Sequence, residues 1–570
     1  MVLISNSFLI LNPLIFRHAV DVFDPNSISS ENFISRGLNL IVGNDQQSLR
    51  VWGLLLVFVA LISAIFKYGM RLTFISISRE AEKEVRSELF ERIQNQSMAF
   101  FDRHGIGELL SRLTNDITSY RDVLGPGIMY PLFFITLMVP GLFALFSISK
   151  PLATISLFPL LIIPLINASI RKQIYRLSRN VQKTLADMSN MAQEHFSAIR
   201  IVKGYVIENA LFQKFSVLCR HLANLNVRLA VLQGLLYPLF TLLTKVITVL
   251  LVLFAGVIIV RAWSDLTPAD FVSFMWIQSY IFFPVLMLGW LLPIYERGRA
   301  AYDRLVEIYE EPIEVQDAGD SQLHIPDLAD IQITNLTFTY PTASMPSLEN
   351  INLTVQGGSF VGITGPIGSG KSTLFRLLNR EYEIPRGMIT IGDHDIHDFS
   401  LDAFRKQMVT VEQAPFLFSK TIAENVRFGR QEASQEELEL VAEYADLHET
   451  VLDFPDRYHT MIGERGVTLS GGQKQRVAMA RAFLVNRTIL LLDDIFSAVD
   501  TATEKRIFEA MRENFRGKTV LLITHRMTIL EQMDRVVYLM NGHVVEDGTP
   551  KELMAKGGHY AALAELQRLD

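Results

Sequence analysis

One cysteine in 570 residues, Cys219, excludes an intramolecular disulfide framework and leaves no thiol cluster for a structural metal. Charge is scarce too. Asp, Glu, Lys and Arg make up 20% of the chain against 49% hydrophobic residues, a balance too apolar for an ordinary soluble protein. Nor is there an excess of basic residues: the net charge of −7 gives no argument for a nucleic-acid partner. Low-complexity tails and evident internal repeats are missing as well. The length points to more than one domain. The shortage of charge is confined to the first half, up to about residue 300, while the remainder has globular composition. The chain therefore reads as a membrane domain followed by a soluble one.

Long apolar runs fill the first half. Residues 1–16 are uncharged and stop at Arg17-His18. They have no basic n-region and no small-residue cleavage site, so they read as most of a first transmembrane helix and not as a signal peptide. A polar loop follows at 21–47, then further apolar runs at 51–70, 126–148, 151–170, 229–260 and 271–295. The uncharged run 126–148 suffices to cross about 30 Å of hydrocarbon. Six spans are predicted. Lys67, Lys245 and Gln278 lie within them, and an intramembrane polar group is a candidate functional site. For the two lysines the competing reading is snorkelling near helix ends. Prolines at 140, 159, 164, 238 and 284 permit kinks.

Basic residues set the orientation. The segment between the second and third spans carries eight, from Arg71 to Arg121, and that between the fourth and fifth carries ten, from Arg171 to Arg228. The opposite connections hold only Arg17, Arg36 and Arg50, then Lys150, then Arg261. Both long basic segments, and with them both termini, are assigned to the cytoplasm.

The second half is organised around Gly365-Pro366-Ile367-Gly368-Ser369-Gly370-Lys371-Ser372-Thr373. The apolar run Phe360 to Thr364 before it reads as a buried strand, and Thr373 onward as an amphipathic helix. Strand, glycine-rich turn and helix is the context the Walker A pattern requires. The turn aims backbone N–H groups at phosphate oxygens and the helix N-terminus adds partial positive charge. Lys371 is then placed on the β- and γ-phosphates and Ser372 on Mg²⁺. Further on, Ile489-Leu490-Leu491-Leu492-Asp493 describes a buried strand delivering Asp493 to the metal. Between the two lies Leu469-Ser470-Gly471-Gly472-Gln473, followed by Lys474-Gln475-Arg476.

With these motifs in this order the chain resembles the ATP-binding cassette (ABC) ATPases. The resemblance implies ATP and Mg²⁺ as cofactors and assigns further residues. Tyr340 matches the aromatic that stacks on adenine, with Gly365, Ile367, Gly368, Ser369, Gly370, Lys371, Ser372 and Thr373 around the phosphates. Gln413 matches the Q-loop glutamine near Mg²⁺ and the attacking water. Asp500, in Ser497-Ala498-Val499-Asp500, matches the D-loop, and His525 the switch histidine that contacts the γ-phosphate. Gly463-Glu464-Arg465-Gly466 resembles the X-loop of ABC exporters. Ser470, Gly471, Gly472 and Gln473 are expected to act in trans on a second cassette.

One position departs from the pattern. The residue after the Walker B aspartate is normally a glutamate; here it is Asp494. The charge is kept, but the carboxylate falls about 1.5 Å short, where a general base must sit within about 2.6–3.2 Å of its proton or one water away. Impaired hydrolysis is the expectation, with Asp494, His525 and Gln413 as the catalytic set.

In the first half, Phe100-Phe101-Asp102-Arg103-His104-Gly105-Ile106-Gly107-Glu108-Leu109 and Ile199-Arg200-Ile201-Val202-Lys203-Gly204-Tyr205 match the two coupling regions of ABC exporters. Exporters of this kind carry an interfacial segment ahead of the first span, and this N-terminus is short by comparison. The predicted fold class is an all-α six-helix transmembrane domain fused to an α/β P-loop ABC ATPase domain. Its expected bounds are 1–309, a linker 310–330, and a cassette 331–570 with a helical insert around 436–452. Fusion of the two on one chain disfavours an importer. The resemblance points to a half-transporter of the multidrug-resistance-like type, in the cytoplasmic membrane of a prokaryote. Its expected partners are a second half-transporter, the lipid bilayer, and a small-molecule or lipid substrate. A heterodimer is the main expectation. A homodimer with slow hydrolysis, or a regulatory membrane ATP sensor without transport, are the alternatives.

Overall fold

The computed structural model describes residues 1–23, 49–261, 263, 266–317, 323–326, 328–463 and 469–569. Its contacts divide the chain into two units: Met1–Glu91 with Leu110–Glu310, and Arg92–Leu109 with Glu311–Asp570.

Among the described residues, the regular elements of the first unit are all helices. Its main helices are α1 (Val2–Phe23) and α2 (Leu49–Gln94), then, beyond the short helices α3 (Met98–Arg103), α4 (Ile106–Ser111) and α5 (Ile117–Asp122), α6 (Ile128–Ile148). There follow α7 (Lys150–Ser197), the short α8 (Ile199–Tyr205), α9 (Glu208–Val260) and α10 (Pro268–Glu310). At 1.5 Å per residue the 53 residues of α9 run about 80 Å, more than twice the hydrocarbon thickness. A helix of that length can cross the bilayer with its apolar part and extend beyond it with its charged part.

Among the described residues, Val2–Val20, Arg50–Gln94, Ile106–Ile148 and Glu208–Val260 are long and apolar enough to cross a membrane. They carry the first, second, third and fifth expected spans. The fourth and sixth fall on α7 and α10, continuous helices of 48 and 43 residues, in which the side chains at 159–161, 163–169 and 283–290 lie outside the description. So do Pro159, Pro164, Pro284 and the 21–47 loop from residue 24 onward.

Two boundaries differ from expectation. The first helix does not stop at Arg17, because that guanidinium forms an ion pair with Asp270 of α10 and the helix continues to Phe23. The third span does not begin at Pro126. Helical structure reaches back to Ile106, and Pro126 sits in a π-turn, Val123–Gly127, whose wider ladder accommodates a missing N–H.

Apolar packing between α1, α6, α7, α9 and α10 centres on Ile10, Leu137, Leu152, Leu251, Phe274 and Ile277. Small polar groups bind the helices together where water is absent. Ser5 and Ser63 exchange hydroxyl-to-carbonyl bonds at 3.0 and 2.9 Å. Asn6 donates to the Phe133 carbonyl at 3.0 Å and to Thr136 at 2.7 Å. Lys67 is exposed, with its ammonium 5.5 Å from the Phe133 ring centroid, and Lys245 is exposed as well. Gln278 alone of the three polar candidates is buried. In the polar extension, Arg304 holds Asp116 through two bonds of 2.9 and 2.6 Å.

The second unit contains two sheets. One has order β2-β1-β4-β5 and is antiparallel, with β1 (Ile331–Phe338), β2 (Leu348–Val355), β4 (Ile389–Ile391) and β5 (His394–Asp395). Burial roughly alternates along β1, as it must when one face is covered. The other has order β10-β9-β3-β8-β7-β6. In it β3 (Phe360–Thr364), β6 (Met408–Val411), β7 (Ile489–Asp493), β8 (Thr519–Ile523) and β9 (Arg535–Met540) are parallel, and β10 (His543–Gly548) closes an antiparallel hairpin. Every residue of β3 and β8 is buried, as helices on both faces of a parallel sheet require. The expected helical insert is present as α12 (Gln435–Tyr444) and α13 (His448–Leu452).

The first coupling motif belongs to this unit. In α3, Ala99 and Phe100 are buried, and Ala99 joins the core cluster of Phe338, Phe375 and Tyr382. Tyr382 donates to Asp102 at 2.7 Å, and Met98 N–H bonds the Glu381 carbonyl at 3.2 Å. His104 and Arg103 both engage Glu311, at 2.9 and 2.8 Å. Removing the Tyr382 hydroxyl leaves Asp102 solvated, so the loss is one net hydrogen bond, about 1 kcal/mol. Tyr382→Phe is expected to lower the cassette's unfolding midpoint by about 2–4 °C in calorimetry of the full chain; no shift would show that packing alone seats this helix.

Candidate functional site

The phosphate-binding turn is built between β3 and α11 (Lys371–Leu378). Gly365 has φ +140° and Gly370 φ +97°. A Cβ on Gly365 would stand 1.9 Å from the Leu539 carbonyl oxygen, and one on Gly370 2.7 Å from that of Ser347, so neither position admits a side chain. Ile367 is 97% exposed at the crown of the turn, close to Gly368. Lys371 is buried and donates to the carbonyls of Gly365 at 2.7 Å and Pro366 at 2.8 Å and to Ser369 Oγ at 3.3 Å. Burial pushes its ammonium below the ordinary lysine range, while the charges of Asp493 and Asp494 pull the other way.

Asp493 ends β7 and accepts a hydrogen bond from Ser372. Burial raises its carboxyl above the usual carboxylate range, helped by the neighbouring charge of Asp494 and opposed by Ser372 and Lys371. Asp494, the next residue, adopts φ +45°, a left-handed conformation that Asp tolerates better than most side chains. Its Oδ2 accepts from Gln413 Nε2 at 2.9 Å. His525 follows β8; burial and the Lys371 charge hold its imidazole below the usual range, against the attraction of both aspartates. Lys371, Ser372, Asp493, Asp494 and Gln413 are thus one linked group, with His525 electrostatically coupled to it.

Tyr340 approaches from the other side. Its hydroxyl donates to Thr373 Oγ1 at 3.1 Å and accepts from Arg376 at 3.4 Å. Its ring packs edge-on against Phe338 and Tyr382, at 5.1 and 5.2 Å between centroids.

Ser470 caps α14 (Gly471–Val485) in a reciprocal box. Its hydroxyl accepts from Gln473 N–H at 3.3 Å, and Gln473 Oε1 accepts from Ser470 N–H at 2.9 Å. Ser470 and Gly471 are exposed, and no described hydrogen bond joins Ser470, Gly471, Gly472 or Gln473 to the phosphate turn. Asp500 likewise has a capping role, accepting from the N–H groups of Ala502 and Thr503 at 3.1 and 3.0 Å at the start of α15 (Thr501–Asn514). Glu464, Arg465 and Gly466 lie outside the described residues.

Gln475, Glu504, Arg526 and Gln567 are organising residues that sequence reading missed. Gln475 is 3% exposed. It donates to the Gln413 carbonyl at 3.2 Å and to Ser497 Oγ at 2.8 Å, and accepts from Ala498 N–H at 3.2 Å. It therefore ties Gln413, Ser497 and Ala498 to helix α14. An available signal was a polar amide on the apolar face of a helix that buries Val477, Ala478 and Met479.

The residues present fit a magnesium nucleotide. The turn offers backbone donors, and Ser372 with Asp493 offers hard oxygen ligands. Among the described residues, no cluster of three or more His, Cys, Asp and Glu side chains is arranged for a metal, as expected where substrate phosphates and water complete the shell.

Comparison with known proteins places both units. The family described as ABC transporter transmembrane region matches residues 1–285, and the family described as ABC transporter matches 348–497. The chain is 31% identical over 525 residues to the multidrug resistance-like ATP-binding protein MdlA of Escherichia coli, covering 91% of this chain and 88% of that protein. It is 30% identical over 532 residues to the ATP-dependent lipid A-core flippase of Syntrophus aciditrophicus, covering 93% and 87%. Among solved structures, a bacterial Atm1-family ABC exporter with ATP bound superposes with a TM-score of 0.76 at 26% identity, covering 100% of this chain and 96% of the other.

Proposed function

On the premise that this chain is an exporter of the ABC transporter family, to which it belongs through both its transmembrane region and its cassette, we propose that it is the slow-hydrolysing half of a heterodimer. Two cassettes join head to tail, so each ATP lies between one chain's Lys371-type turn and the other's signature. The observation that carries the head-to-tail arrangement is the exposed Ser470-Gly471 cap, which has no described bond to its own phosphate turn; the asymmetry rests on Asp494 standing where the family has glutamate. A solvent-exposed, glycine-rich helix start is a phosphate-binding element open to a second chain's nucleotide. This chain then supplies an intact signature to a competent site on its partner, while Asp494 makes its own site slow.

Each residue has a definite task. Lys371 and the turn's N–H groups would hold the phosphates, Tyr340 would stack on adenine, and Ser372, Asp493 and Gln413 would hold Mg²⁺, which would supply neutralisation of phosphate charge. Gln413 orients the Asp494 carboxylate. Half-buried His525 contacts the γ-phosphate. Movement reaches the membrane domain through α3 and α8. In α8, Ile201 and Tyr205 are 60% and 76% exposed, and this chain's cassette offers a groove of about 530 Å³ lined by Glu412, Phe416, Phe418 and Arg481. We assign that groove to the second coupling helix of the opposite chain.

The named activities of the relatives support a lipophilic or amphipathic substrate, a drug-like molecule or a lipid. The basic segments and the bacterial relatives support a bacterial cytoplasmic membrane with the cassette inside.

The test is ATP turnover by the chain purified alone and co-expressed with a half-transporter encoded beside it, together with ATP-dependent substrate movement in vesicles. A nearly silent chain and an active pair are expected. An active dimer of this chain by itself would make Asp494 a working catalytic residue and overturn the asymmetric reading. Binding without movement in either preparation would favour the sensor.

A further inference from the structure

The loop that carries His525 is gripped from both sides by groups that the nucleotide reading leaves unused. Gln567, on helix His559–Leu569, donates from Nε2 to the His525 carbonyl at 2.5 Å and accepts from Met527 N–H at 3.0 Å. One carboxamide thus pairs with the backbone on both flanks of Arg526, directly after the histidine, as a neighbouring strand would. Opposite it, Arg526 donates to the carbonyls of Phe496 at 2.8 Å and Val499 at 2.7 Å and forms an ion pair with Glu504. Glu504 is fully buried and also accepts from Thr528 Oγ1 at 2.7 Å.

Residues 524–526 belong to no helix or strand; Thr524 N–H bonds the Ile363 carbonyl, Arg526 N–H the Thr524 hydroxyl and the Arg526 carbonyl the N–H groups of Ile529 and Leu530, and the His525 carbonyl is met by Gln567. A side chain that supplies both a donor and an acceptor is what such a segment needs.

We propose that Gln567 and Arg526 form a two-sided clamp that positions His525 and joins it to the loop 496–500, so that recognition of the third phosphate at this site depends on helix His559–Leu569. Neither residue touches nucleotide. Gln567 holds the histidine's main chain in register with the phosphate turn, and Arg526 makes any displacement of that main chain a displacement of the D-loop. The inference rests on the reading of His525 as the γ-phosphate contact. ADP lacks that phosphate and has nothing to gain from the clamp. A misplacement of about 1 Å suffices to lose an oriented contact of this kind.

The experiment is equilibrium binding of AMP-PNP and of ADP to the full-length chain, which requires no turnover at a slow site. His525→Ala is expected to weaken AMP-PNP binding several-fold and to leave ADP within twofold. Gln567→Ala and Gln567→Met are expected to do the same, the methionine because it keeps the shape and loses both bonds. Gln567→Ala added to His525→Ala is expected to cause no further loss, since residues acting as one unit are not additive. An unchanged AMP-PNP to ADP ratio in His525→Ala defeats the γ-phosphate reading itself. A ratio lost in His525→Ala and retained in either Gln567 variant overturns the clamp. Equal weakening of both nucleotides, or additive losses in the double variant, also overturns it, because a merely structural role predicts those.

Discussion

The Lys371→Met chain is expected to bind ATP a few hundredfold more weakly than the native chain. The lysine ammonium lies in a cage of carbonyls, with Gly365 and Pro366 oxygens at 2.7 and 2.8 Å and Ser369 beneath. That cage aims one buried cation at the point where the turn's N–H groups converge. A charge-assisted hydrogen bond is worth about 1.5–3 kcal/mol, and two to adjacent phosphates about 3–4 kcal/mol after partial compensation. That figure corresponds to a factor of a few hundred in Kd. Methionine fills the space and removes the charge, so packing should survive. Lys371→Arg is expected to fail nearly as badly, because a planar fork cannot enter a cage shaped for a compact ammonium. Titration of purified full-length chain with ATP measures both. Affinity retained in Lys371→Met would mean that this turn does not hold the phosphates.

The second large effect is a gain. Asp494→Glu is expected to raise hydrolysis at this chain's own site by about a hundredfold, the scale on which a correctly placed general base contributes. Asp494 leaves β7 with φ +45°, and its carboxylate reaches Gln413 at 2.9 Å. The added methylene carries the carboxylate further toward the phosphates without moving the strand. Glutamate tolerates a positive φ less well than aspartate, at a cost of about 1 kcal/mol, small beside the expected gain. The measurement is turnover by the assembled transporter in which the partner's Walker lysine has been replaced, so that only this site reports. An unchanged rate in Asp494→Glu would mean that the shorter carboxylate already serves the reaction, or that another step limits it.

The cassette was largely legible because its chemistry is local. A turn needing Gly365 and Gly370, a strand ending in Asp493 and the run Leu469 to Gln473 are each written in fewer than ten consecutive residues. The long membrane helices were legible for a similar reason, since hydrocarbon demands continuous apolar runs. Their ends were not. Whether Arg17 stops α1 depends on Asp270, a residue 253 positions away in the chain, and whether Pro126 begins a helix depends on a π-turn that no local propensity announces.

The amino-acid sequence by itself determined the fold class, the nucleotide motifs and the departure at Asp494, because each is a matter of residue type at fixed spacing. Only the tertiary structure decided that Tyr382 bonds Asp102, that Gln475 bonds both Gln413 and Ser497, and that Gln567 and Arg526 bond the main chain at His525 and Val499. Those contacts join residues between 22 and 280 positions apart. A buried polar group must find a partner, but nothing in its own neighbourhood of the chain says which one.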